Sequence, residues 1–74
     1  MARTQLMNFK YDNKVVKVYT GDSSADVYYS VNGGSSVSAG IRWNSERGDY
    51  KSGSGSILSN DDAKSVIRDQ LGDN

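Results

Sequence analysis

The chain contains no histidine and no cysteine, and the two absences exclude a large share of enzyme chemistry. Without imidazole there is no serine triad and no general base of the commonest kind. Without thiolate there is no cysteine nucleophile, and the preferred zinc ligands are missing as well. No disulfide can reinforce the fold, which argues against a disulfide-dense secreted scaffold. Long apolar runs are also missing: the longest are pairs such as Val15-Val16 and Ile57-Leu58, far short of the ~20 residues a membrane helix needs. Met1-Ala2-Arg3-Thr4-Gln5 has no apolar stretch behind Arg3, so no secretory signal is expected and the cytoplasm is the expected location.

Charge of one sign is lacking too. Nine basic and nine acidic side chains give a formal net charge of zero, which disfavours a binder that works by neutralising many phosphates. The charges are nevertheless segregated. Residues 1–20 carry Arg3, Lys10, Lys14 and Lys17 against Asp12, whereas the tail from Ser59 carries Asp61, Asp62, Asp69 and Asp73 against Lys64 and Arg68. With 74 residues there is room for one domain, and a domain this small buries only about 60–65% of the surface its unfolded chain exposes.

What is present is strand-like alternation. Met7, Phe9 and Tyr11 alternate with Asn8 and Lys10, and Val16 and Val18 continue the pattern beyond Asp12-Asn13. Both turn residues tolerate positive φ, so they suit a two-residue hairpin. That turn sets Tyr11 opposite Lys14, Phe9 opposite Val16 and Met7 opposite Val18 on one face. Lys10 then faces Val15, Asn8 faces Lys17 and Leu6 faces Tyr19 on the other. Thr20 to Ser24 reads as a loop, and Val27, Tyr29 and Val31 as the apolar side of a third strand. A three-residue loop at Asn32-Gly33-Gly34 aligns Tyr29 with Val37 and Val27 with Ala39, whereas a two-residue turn would set them against serines. Val37, Ala39, Ile41 and Trp43 are expected to face inward. After an Asn44–Arg47 turn, a short strand at Gly48–Lys51 would place Tyr50 opposite Ile41 and Asp49 opposite Arg42; a mobile loop over 44–56 is the alternative.

Gly53-Ser54-Gly55-Ser56 has linker composition, and it lacks the Gly-Lys-Ser/Thr ending of a phosphate-cradling loop. Ser59 followed by Asp62 is an acidic variant of the capping box. Ala63, Val66, Ile67 and Leu71 form one helical stripe, and Gly72 is placed to end the helix. The expected organisation is a single α+β domain. Residues 5–51 form a four- to five-stranded antiparallel meander sheet, 52–58 a flexible connector, and 59–72 a C-terminal helix packed on one face.

The remaining chemistry is sparse. Asp22 with Asp26, and Asp61 with Asp62, are carboxylate pairs, but aspartate is the residue expected in turns and helix caps. No residue pattern calls for a cofactor or a metal, and a non-enzymatic role is expected. Trp43 reads either as the largest core residue or as an interface anchor, and its parity favours the core. The outer sheet face carries Tyr19, Tyr28, Lys17, Lys10 and Arg42, with Arg47 on a neighbouring loop. Aromatic and basic groups together point to macromolecular binding. A protein partner at the exposed face or an edge strand is the leading expectation, using Tyr19, Tyr28, Lys17, Arg42 and Arg47. Single-stranded nucleic acid or RNA, stacked on the tyrosines, is the alternative that neutrality disfavours. Pairing into a homo-oligomer would suit a thin core with open strand edges. In size, such a module matches the small inhibitor or accessory proteins of viruses and mobile elements.

Overall fold

In the computed structural model, which describes residues 4–21 and 25–72, the alternating segments become strands and the final segment a helix. The strands are β1 (Gln5–Tyr11), β2 (Lys14–Thr20), β3 (Asp26–Val31), β4 (Val37–Asn44), β5 (Asp49–Ser52) and β6 (Ile57–Leu58), followed by helix α1 (Asn60–Gly72). They form one curled antiparallel sheet in sequence order, a six-stranded meander. The expected α+β meander is present, with one strand more than the four or five expected. Arg3, Asp22 and Asp73 lie outside the described residues.

The first hairpin follows the sequence register. Asp12 and Asn13 take φ of 52° and 65°, the left-handed pair of a type I′ turn. Tyr11 pairs with Lys14, Phe9 with Val16 and Met7 with Val18. The expected Leu6–Tyr19 pair is not formed. A β-bulge falls between Gln5 and Met7 and brings Gln5 opposite Tyr19, because the extra residue of a bulge has no cross-strand partner. Backbone bonding between β1 and β2 extends to Thr20, whose N–H donates to the Thr4 carbonyl at 2.9 Å.

Tyr29 sits opposite Val37 as expected, but the expected Val27–Ala39 pair is not formed. Between Tyr28–Ser38 and Asp26–Arg42 the register shifts by two, so β4 carries a bulge around Gly40 at φ +75°. That conformation suits glycine because it has no Cβ to clash. The next register also differs by two from expectation. Tyr50 pairs with Trp43 rather than Ile41, and Asp49 with Asn44 rather than Arg42. The cause is the turn. The Asn44 side-chain oxygen accepts from the N–H groups of Glu46 and Arg47 at 3.0 and 3.1 Å, and the Gly48 N–H donates to the Asn44 carbonyl at 2.8 Å. Asn44 therefore ends β4 and Gly48 belongs to the loop.

Residues 52–58 are not a connector throughout. Ser52 closes β5, and its N–H donates to the Ser56 carbonyl at 2.8 Å. Ile57 and Leu58 then pair with Lys51 and Tyr50 as β6. At the helix start both halves of the capping box are made: Asp62 N–H donates to Ser59 Oγ at 3.2 Å, and Ser59 N–H to Asp62 Oδ2 at 3.4 Å. Gly72 is the last helical residue, within the expected 59–72 span, and it does not take the left-handed φ of a glycine cap. Its lack of a side chain serves a close approach instead, since a Cβ there would lie 2.7 Å from the Tyr11 hydroxyl.

Val16, Val18, Val27, Tyr29, Ala39, Ile41 and Tyr50 on the sheet close over Ala63 and Ile67 of the helix. The helix thus buries the stripe read from the sequence, with Val66 and Leu71 half-buried at its margin. Gln70 ties helix to sheet: its amide donates to the Ala39 carbonyl at 2.8 Å and accepts from the Tyr29 hydroxyl at 3.2 Å. Val37, expected inside, is 47% exposed, because it begins its strand beyond the area the core covers.

Candidate functional site

The outer face is organised in cross-strand rows. One row runs Gln5, Tyr19, Tyr28, Ser38. The next toward the loop end runs Asp26, Arg42, Lys51, Ile57. Lys17 lies between Asn8 and Ser30 on the other side of the tyrosines. Lys17, Tyr19, Tyr28 and Arg42 therefore share one face, opposite the helix. The two tyrosines are direct partners on β2 and β3 and both are half-buried, while Lys17 and Arg42 are exposed. The Tyr19 hydroxyl hydrogen-bonds the Ser36 Oγ, which fixes the ring against the β3–β4 loop.

Arg47 is not part of this cluster. It sits in the β4–β5 loop, and its Nε lies 3.2 Å from Asp49 Oδ2. Arg42 is also paired, with its Nε 3.5 Å from Asp26 Oδ1, and both side chains remain substantially exposed. Pairs this open are worth at most about 1 kcal/mol, so either arginine can exchange its carboxylate for one on a partner. Tyr28 and Lys17 were legible from parity alone. Lys51 and Asp26 were not, because their place beside Arg42 depends on the two register shifts.

Trp43 stands at the margin of the core rather than inside it. It is half-buried and packs on the core, its ring centroid 4.9 Å from that of Tyr50 with the planes 54° apart. Its open side helps line a cleft of about 420 Å³ with Arg42, Asn44, Glu46 and Lys51. Tyr50 itself is fully buried, and among the described residues its hydroxyl meets no hydrogen-bond partner. Burial pushes its pKa above the ordinary phenol value of 10.0.

Among the described residues no group of acidic side chains is arranged to hold a metal ion. Asp62, one half of the helix-start carboxylate pair, is engaged by its own cap, and Asp26 by Arg42. No helix of the described residues is long and apolar enough to cross a membrane. The chain matches no family model, no curated protein and no solved structure.

Proposed function

We propose that this chain is a non-enzymatic binding module that docks a protein partner through its exposed sheet face or an edge strand, acting in the cytoplasm. The observation that supports this most is the Tyr19–Tyr28 pair standing between Lys17 and Arg42 on the face the helix leaves open. Tyrosine and arginine are the residues enriched where proteins meet, since each combines a large contact area with a directional polar group. Both rings are half-buried and the Tyr19 hydroxyl is held by Ser36, so less side-chain entropy is lost when they are covered.

The test is affinity capture from the native host with the wild-type chain and with Tyr28→Ala. The expected outcome is a protein partner retained by the wild type and lost by the variant. Retention of the partner by Tyr28→Ala, with the variant still folded, would remove the face from consideration. The Arg42–Lys51 pairing supports single-stranded nucleic acid as a second reading. In that case affinity for oligonucleotides falls steeply with salt, and Lys17→Ala lowers the slope by about one unit. Absence of any oligonucleotide binding at low salt would dispose of it.

A further inference from the structure

The two edges of the sheet are unlike. β6 is two residues long, the short kind of edge that resists strand addition. β1 runs seven residues, from Gln5 to Tyr11, and among the described residues no strand lies on its far side. The type I′ turn decides which of its backbone groups are open. The residues flanking such a turn, Tyr11 and Lys14, exchange both bonds of a narrow pair, and the pattern alternates from there. Phe9 and Met7 therefore bond to Val16 and Val18. The N–H and C=O of Asn8 and Lys10 point the other way, off the sheet, and both residues are exposed. β2 fits the same alternation: Val15 turns its backbone to Asn32 on the next strand, donating to its side-chain oxygen at 3.0 Å and accepting from its N–H at 2.8 Å.

The side chains along this edge say what would fit it. Met7, Phe9 and Tyr11 are only half-buried on the core side, so an added strand with apolar residues at alternate positions would complete their cover. The rim is cationic. Lys64 Nζ stands 5.3 Å from the Phe9 ring centroid and Arg68 Cζ 5.7 Å from that of Tyr11. Lys10, Lys14 and Lys17 carry the same sign along the hairpin, against Asp12 in the turn and Asp69 beside Arg68. The ion pairs among the described residues, Arg42–Asp26 and Arg47–Asp49, involve none of these five cations. A second copy pairing through β1 would bring two such rims together, like charge on like charge.

From the open ladder and the charge around it we infer that β1 is the docking edge, and that its occupant is an extended acidic segment of a partner protein with alternating apolar and carboxylate side chains. It adds a seventh strand beside β1. The backbone of Asn8 and Lys10 supplies hydrogen bonds, Met7 and Phe9 supply apolar contact on the core side, and Lys10, with Lys17 behind it on the same outer face, supplies the charge selection for the carboxylates. This rests on the reading of the chain as a protein-binding module and specifies where and what it binds.

The test uses the full chain and a blocked octapeptide of alternating Val and Glu, followed by amide-resolved NMR and hydrogen exchange. The expected result is slowed exchange and shifted resonances at Asn8 and Lys10. A Val-Lys peptide should bind roughly tenfold more weakly at low salt, and a copy of the Val-Glu peptide N-methylated at every residue should not bind. Lys10→Pro should also abolish binding, since it removes an N–H that β2 does not use, and proline is tolerated on sheet edges. The peptide arms need no protein variant, so a misfolded Lys10→Pro leaves the result readable. Unchanged Asn8 and Lys10 amides, or equal binding of the Val-Lys peptide, would overturn the inference. So would sedimentation as a dimer with both amides already protected, which would seat a second copy on the edge. Shifts confined to Tyr19 and Tyr28 would overturn the edge while sparing the broader reading, which fails instead if the captured partner is a nucleic acid.

Discussion

The two faces of the sheet are made from almost the same strands yet tolerate opposite chemistry. The inner face presents Val16, Val18, Val27, Ala39, Ile41 and Tyr50 to Ala63 and Ile67, nearly all of them without solvent exposure. The outer face, one residue out of phase, presents Lys17, Tyr19, Tyr28, Arg42 and Lys51. Stability therefore sits on one side, and the proposed binding residues on the other. A change on the inner face should register in unfolding experiments, and one on the outer face in binding.

The largest expected effect is at Ile67, the central helix residue of the core. Ile67→Ala should lower unfolding free energy by about 2–5 kcal/mol, read as a shift in denaturant midpoint. A loss under about 1 kcal/mol would mean that the helix is dispensable to the core. Among the described residues Tyr50 is the one inner residue with an unsatisfied polar atom, and Tyr50→Phe should stabilise the fold by about 1–3 kcal/mol at neutral pH, the desolvation penalty of the hydroxyl. Its pKa is raised in the folded state, so folding favours the protonated phenol. Above pH 10.0 the unfolded chain loses that proton first, and stability falls as pH rises. The variant should lack this part of the alkaline decline; identical pH profiles for the two proteins would show that Tyr50 reaches water.

Ser59→Ala, which removes one half of the helix cap, should cost about 1 kcal/mol, measured the same way. A neutral result would mean that water replaces the serine hydroxyl. The smallest stability effect belongs to the outer face. Tyr28→Ala should cost no more than about 0.2–1 kcal/mol, the worth of one cross-strand pair, while abolishing capture of a partner that docks on that face; strand addition at β1, two strands away, should persist. If it unfolds the protein instead, the distinction between the two faces is lost.

Much of this was legible in the residues. The first hairpin follows from Asp12-Asn13 and the alternation around it, and the helix from the Ser59 and Asp62 cap with its four-residue stripe. What failed to show was register in the second half. The slips at Tyr28/Asp26 and at Trp43–Tyr50 are each of two residues. A slip of two keeps every side chain on its own face, whereas a slip of one would reverse them all. Alternation could not detect these shifts, yet they bring Lys51 rather than Asp49 beside Arg42. The Asn44 turn was readable in principle, since asparagine closing onto backbone N–H groups two and three residues on is a known turn chemistry. β6 was not: two residues are too short to display a period.

The sequence by itself determined parity, the capped helix and the stripe that meets the sheet, because each depends on neighbours within a few residues along the chain. Tertiary structure decided how far each hairpin slid, which cations gained carboxylate partners, and that β1 rather than β6 kept a long open edge. Those outcomes depend on backbone bonding between strands and on how far the sheet curls, quantities that no short stretch of side chains encodes.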